Sequence, residues 1–241
     1  MTELVYKQIG GLGNFFIHLT SMDKKCTQLH ESVYEHEVSN CITINGFTRV
    51  SYEGIQPDAP IYINPHACNN VHSKIRNIIE PTTHMKELIS KYEYILDDVS
   101  CGISIRRGTY AVDSTQHSDG TEQDVSYYFC SDDGLKKFEK IIEDSPGKVF
   151  VSSDSTITVN ALISKFGEKI RTLNTKTFTI AMEQDQNPSI EDYQNSFLKF
   201  FILSKCPKLY LTGGKGDMIG FSTYAYMASI YGSKPLEIIF N

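Results

Sequence analysis

The chain has 241 residues, of which 40% are hydrophobic and 22% charged, and its formal net charge is −6. That length buries a substantial core and suits one large domain or two small ones. The acidic balance excludes a general nucleic-acid binder, which needs a basic surface, so affinity for an anionic ligand must come from local groups.

In chain order, Leu4 to Ile9 reads as a short strand, Gly10-Gly11-Leu12-Gly13-Asn14 as a turn, and the residues from Phe15 through Leu19 as a helix. Weaker strands are expected near 40–44 and 60–64, with helices near 70–79 and 82–93. A boundary near Asp97-Asp98 would separate a smaller N-terminal α/β lobe, 1–97, from a C-terminal lobe, 98–241. Beyond it, strands near 101–106, 148–153, 170–174, 208–212 and 235–240 alternate with helices near 126–144, 156–166, 189–205 and 218–231. This alternation predicts an α/β fold with a parallel sheet wrapped by helices. Leu135, Phe138, Ile141 and Ile142 share one face of the helix that Pro146-Gly147 stops. Ser189, with Asp192 three residues on, has the pattern of an N-terminal cap.

Four segments carry chemistry. The sequence Ser104-Ile105-Arg106-Arg107-Gly108-Thr109-Tyr110 places two of the chain's five arginines at the end of an apolar strand, before a glycine. Adjacent guanidiniums there suit a diphosphate, gripped through charge-assisted and often bidentate hydrogen bonds. On residue type alone, such a pair is more often a solvated edge or a salt-bridge partner. The glycine turn at 10–14 leads from strand to helix and collects free N–H groups and a positive helix end, although it is neither the dinucleotide fingerprint nor a P-loop. The strand Lys148 to Ser153 ends beside Asp154, where open α/β sheets bind ligands. Ser153, Asp154 and Ser155 are equally candidates to cap the following helix. Finally, Leu209 to Gly214 runs through a glycine-rich loop into Gly220-Phe221-Ser222-Thr223, another strand, loop and helix start suited to an anion. A packed helix with glycines for close approach is the alternative reading there.

Together these segments resemble the fucosyltransferase superfamily, and most closely its α-1,2-fucosyltransferase family, with the protein O-fucosyltransferases and α-1,6-fucosyltransferases as relatives. The resemblance rests on the 10–14 turn, on 104–110, on Phe150 to Asp154 and on Gly220-Phe221-Ser222. Tyr127-Tyr128 and Glu191-Asp192, each opening a helix, fit it too. It implies a GT-B-like arrangement, with two Rossmann-like lobes and parallel sheets facing across a cleft. The acceptor would lie on the N-terminal side and the nucleotide sugar on the C-terminal side.

The resemblance also implies roles. Arg106 would hold the β-phosphate of GDP-fucose, and Asn14 would stand beside donor and acceptor as the second catalytic residue. Gly11, Gly13, Arg107, Ser153, Asp154, Gly220, Phe221, Ser222 and Thr223 would bind the donor. The chain departs from the family pattern at Ser104, where the family has histidine, and at Thr109, where it has aspartate. These departures keep open a non-catalytic GDP-sugar or glycan binder, or a transferase using another GDP-sugar.

His18, one turn beyond Asn14, is a candidate on the acceptor side, though a packed or solvated histidine is the commoner case. Asp113 and His117, in the polar stretch Val112 to Gln123, are further candidates for a base, which stays open. No Asp-x-Asp pair occurs in the chain. Arginines and helix ends are therefore expected to neutralise the leaving group without a metal, and no cofactor is expected beyond GDP-fucose as donor substrate.

The six cysteines show no C-x-x-C pair and no zinc-ligand spacing with the seven histidines, which suits free thiols in a reducing compartment. The most hydrophobic stretch, Phe197 to Leu203, is short and contains Lys199, and Met1 to Leu4 has no basic leader. A cytoplasmic protein without a transmembrane anchor is expected, acting on a nucleotide sugar and a glycan acceptor, with no nucleic-acid partner. Its oligomeric state is not encoded in any pattern above.

Overall fold

The computed structural model describes residues 5–6, 12–21, 28–30, 41–46, 48–50, 74–107, 129–173, 189–214 and 221–241. In chain order the elements are β1 (Val5–Tyr6), α1 (Leu12–Ser21), β2 (Gln28–His30), β3 (Ile42–Ile44), β4 (Thr48–Val50), α2 (Ile75–Ile78), β5 (Ile79–Pro81) and α3 (Thr83–Tyr92). After a 3-10 turn over Glu93–Leu96 come β6 (Val99–Ile105), α4 (Asp132–Asp144), β7 (Lys148–Ser153), α5 (Thr156–Phe166), β8 (Ile170–Arg171), α6 (Ile190–Lys205), β9 (Leu209–Gly214), α7 (Thr223–Gly232) and β10 (Leu236–Phe240).

The expected parallel sheet is present. Its order is β10-β9-β6-β7-β8, with every neighbouring pair parallel. β6, β7 and β9 are buried along nearly their whole length, with the small polar residues Ser104, Ser152, Ser153 and Thr212 buried beside their apolar ones. The N-terminal part adds a parallel sheet, β1-β2-β4, and an antiparallel pair, β3-β5.

Several boundaries differ from expectation. The helix expected over 70–79 ends at Ile78 among the described residues, because Ile79 to Pro81 pair antiparallel with Ile42 to Ile44. That long-range pairing overrides local apolar spacing. Gly13 and Asn14 lie inside α1 rather than in a turn before it. The helix expected from 126 starts at Asp132, since the Ser131 side chain caps it by accepting from Gly134 N at 3.1 Å. Phe129 and Cys130 precede that cap. In the last helix, Phe221 and Ser222 lie before the first helical residue. The strand expected near 60–64 lies outside the described residues.

One hydrophobic core joins α1, β3, α2 and α3 to α6 and α7. Its centre is aromatic: Phe16 of α1 lies 4.6 Å from Phe200 and 6.1 Å from Phe197 between ring centroids, and Phe200 meets Tyr231 at 5.7 Å. A second cluster, including Ile103, Ile105, Phe138, Ile142 and Val151, fills the space between the central sheet, α4 and α5. α1 therefore packs directly on elements of the C-terminal half. Among the described residues, no helix is long and apolar enough to cross a membrane.

Buried titratable groups make stability depend on pH; Lys199, Cys130 and Cys206 act first, and Tyr224 and Tyr231, whose hydroxyl pKa values burial raises, deepen the fall at higher pH. Burial lowers the Lys199 ammonium from 10.5 to about 8. It raises the thiols of Cys130 and Cys206 from 9.0 to about 12. Between pH 8 and 10.5 the unfolded chain holds the Lys199 proton that the folded chain has released, so stability rises with pH. From pH 9 to 12 the folded chain keeps two thiol protons that the unfolded chain has lost, so stability falls. Each group contributes a slope on the order of 1 kcal/mol per pH unit in its own window. Urea unfolding from pH 7 to 11 should therefore show a rise beginning near pH 8 that turns over above pH 9. Lys199→Met should abolish the rise and keep the fall.

Candidate functional site

The order of the central sheet defines where a ligand can sit. The chain runs outward from β6 through β7 to β8, then returns to the other side of β6 with β9 and β10. The switch point lies between β6 and β9, and in open α/β sheets the crevice at the carboxyl ends of such strands is the ligand site. Ile105 ends β6 there, so Arg106 and Arg107 emerge at this point.

The backbone of both arginines is fixed by the neighbouring strands. Arg106 N donates to Thr212 Oγ1 of β9 at 3.0 Å, and the same hydroxyl donates to Ser104 O at 3.4 Å. Arg107 N donates to Asp154 Oδ1, just beyond β7, at 2.6 Å. Thr212 is 1% exposed, and removing its hydroxyl takes this acceptor from Arg106 N and this donor from Ser104 O. Thr212→Val, which keeps the shape and deletes the hydroxyl, should cost about 1–3 kcal/mol. Chemical denaturation measures that loss directly.

The two side chains take different surroundings. Arg107 is 7% exposed, and its Nη1 donates to Cys130 O at 3.2 Å while Nη2 pairs with Asp132 in the first turn of α4. A carboxylate is favoured at a helix N-terminus, and its charge-assisted bond, with the Cys130 carbonyl contact, offsets the cost of burying the guanidinium. Arg106 is half-buried, and its guanidinium carbon lies 5.1 Å from the centroid of the Phe129 ring. Cys130 N donates to Arg106 O at 2.7 Å, which joins the segment before α4 to the end of β6. Thus Arg107 braces the strand end from within, while Arg106 lies along an aromatic face.

At the end of β7, Ser155 is the helix cap among the three candidates: its Oγ accepts from Thr158 N at 3.3 Å. Ser153 supports it, with its Oγ accepting from Ser155 N at 3.1 Å. Asp154 instead turns its Oδ1 to the Arg107 backbone. Ser104 is 6% exposed within β6.

Across the switch point, Ser222 N donates to Thr212 O at 2.9 Å and brings the chain back beside β9. Phe221 is 3% exposed and packs edge-on against Tyr226 at 5.3 Å. Ser222 precedes α7 without a side-chain capping bond, so that helix start has no hydroxyl from its own cap residue over its N–H groups. Gly13 meets the same place: a Cβ added to it would fall 2.3 Å from Tyr224 N and 2.6 Å from Thr223 Oγ1. The first turns of α1 and α7 therefore touch, and their positive ends lie together.

The backbones of Asn14 and His18 lie on α1 one turn apart, and their side chains fall outside the described residues. Gly11, Gly108, Thr109, Asp113, His117, Tyr127, Tyr128 and Gly220 also lie outside them. Among the described residues, no group of three His, Cys, Asp or Glu side chains is placed to hold a metal. Sequence reasoning missed Thr212, Phe129, Asp132 and Asn241, each of which acts through a contact distant in sequence. Only Asp132 carried a local signal, as an acidic residue directly after a serine cap.

No protein-family model matches the chain, and no curated protein matches it. Solved structures do. The NodZ alpha-1,6-fucosyltransferase soaked with GDP-fucose superposes with a TM-score of 0.57 at 13% identity, covering 95% of this chain and 92% of that one. The same enzyme co-crystallized with GDP gives a TM-score of 0.56 at 13% identity, over 94% and 91% of the two chains. The fucosyltransferase NodZ from Bradyrhizobium gives the same values. At that identity the likeness is one of fold, and it extends over most of both chains.

Proposed function

We propose that the chain is a glycosyltransferase that moves L-fucose from GDP-fucose to a sugar hydroxyl of a glycan, with inversion and without a metal. The observation that carries this reading is the placement of Arg106 at the switch point of a sheet whose fold matches fucosyltransferases, one of them soaked with GDP-fucose. The acceptor hydroxyl attacks the anomeric carbon through its oxygen and releases its proton as the bond from that carbon to the β-phosphate oxygen breaks. Negative charge then grows on the departing GDP. A guanidinium already aimed at that oxygen stabilises the transition state more than the ground state.

In this reading Arg107 holds the strand end, Asp154 fixes the backbone between the arginines, and the joined starts of α1 and α7 supply N–H groups for the diphosphate. Asn14 reaches the donor and acceptor from α1. Residues 1–97 form the acceptor lobe and 98–241 the donor lobe of a GT-B arrangement. The enzyme works in the cytoplasm. The NodZ structures described above are of an α-1,6-fucosyltransferase, so a place in the α-1,2 branch rests on the motifs at 10–14, 104–110, 150–154 and 220–222. A non-catalytic GDP-sugar binder is the second reading, favoured by the serine that β6 buries at the family's histidine position.

Calorimetric titration with GDP, GDP-fucose, GDP-mannose and UDP-sugars in EDTA tests the donor site. Guanine-selective binding is expected, and hydrolysis or transfer of GDP-fucose then separates enzyme from binder. An absence of binding to every GDP ligand overturns the reading.

A further inference from the structure

Asn241, just beyond the edge strand β10, is tied to the end of β9 by its own backbone N–H, which donates to Gly214 O at 2.8 Å. Its carboxamide then crosses to the segment before α4. Nδ2 donates to Phe129 O at 2.9 Å, and Oδ1 accepts from Ser131 N at 2.8 Å. One side chain thereby satisfies a carbonyl and an amide on two sides of Cys130, as a neighbouring strand would. The next contacts lead into the site: Cys130 N donates to Arg106 O, and the Phe129 ring lies 5.1 Å from the Arg106 guanidinium carbon.

We propose that Asn241 is a positioning residue: by fixing the 129–131 backbone it places the Phe129 ring, and the ring sets the direction of the Arg106 guanidinium. The inference rests on the reading of Arg106 as the residue that grips the donor diphosphate. Asparagine suits the task because it carries an NH2 donor group and a carbonyl acceptor on a short stem. Aspartate at this position would keep the bond from Ser131 N and set a carboxylate oxygen against the Phe129 carbonyl. A guanidinium that swings off the ring loses the alignment on which its effect depends, and misplacement of about 1 Å can lower turnover by about 10²-fold.

The test compares Asn241→Asp and Asn241→Ala with Lys137→Met. Lys137 Nζ donates to Phe240 O at 2.8 Å, so it ties the same helix to the same strand without touching 129–131. Three quantities are read: unfolding midpoint, turnover of GDP-fucose, and the Arg106 Nε–H resonance, assigned with Arg106→Lys and shifted by the Phe129 ring current. Both Asn241 variants are expected to move that resonance and to lower turnover by about ten- to a hundredfold. Lys137→Met is expected to lose stability alone. Phe129→Leu, which keeps the backbone tether and removes the ring, must reproduce the loss of turnover even if the Asn241 variants fold poorly. A resonance unmoved in folded Asn241 variants, or full turnover in Phe129→Leu, overturns the positioning role and leaves the donor reading intact. If the resonance moves while Arg106→Ala binds and turns over the donor normally, the donor reading falls and the positioning role with it.

Discussion

Arg106→Ala is expected to lower turnover of GDP-fucose by roughly 10²–10³-fold, the range found when one pre-placed donor to a developing oxyanion is removed. The fold should survive, because what holds the end of β6 is the backbone of Arg106, which bonds to Thr212 and Cys130, and alanine keeps both bonds. Arg107→Ala should behave differently. It leaves the Cys130 carbonyl and Asp132 without their guanidinium in a place where the arginine is 7% exposed. Stability should fall with activity in that variant. The pair of variants thus separates chemistry from bracing: steady-state kinetics report the first and denaturation the second. An Arg106→Ala enzyme with near-full kcat would sink the assignment of that side chain to the leaving group.

The strand and helix alternation beyond residue 98 was legible because the relevant forces are local. β6, β7 and β9 are short runs of apolar and small residues bounded by turn residues, and α6 begins at a capping box spelled by Ser189 and Asp192. That box is present as expected, with Asp192 N donating to Ser189 Oγ at 3.2 Å and Ser189 N donating to Asp192 Oδ2 at 3.0 Å. The arginine motif was legible for the same reason: residue type and strand end sit together in the chain.

What failed was distant pairing. Ile79 falls within the helix expected over 70–79, and only the ladder of Ile79 to Pro81 with β3 makes it a strand residue. Phe129 reads as part of a helix because nothing nearby states that Asn241, 112 residues away, holds its carbonyl. The separate surroundings of Arg106 and Arg107 were equally hidden. They depend on which side of β6 receives β7 and which receives β9, and no pattern within 104–110 carries that information.

The second large effect is expected at Gly13. Helix propensity alone favours Gly13→Ala by about 1 kcal/mol, because alanine loses less backbone freedom than glycine in a helix. The contact opposes it. The added methyl would lie 2.3 Å from Tyr224 N and 2.6 Å from Thr223 Oγ1, and the nearer atom is helix backbone rather than the end of a flexible side chain. Relief requires α1 and α7 to separate, yet Phe16, one turn along α1, is fully buried against Phe200 and resists the shift. Overpacking of this kind costs about 1–3 kcal/mol, so the net change should be destabilising despite the better helix former. If the joined helix starts also hold the diphosphate, GDP affinity should fall in the same variant, measured well below its unfolding midpoint. Lost stability with unchanged GDP affinity would keep the close packing of the two helices and remove their N-termini from the donor site, leaving Arg106 to carry the charge of the leaving group from the sheet side alone.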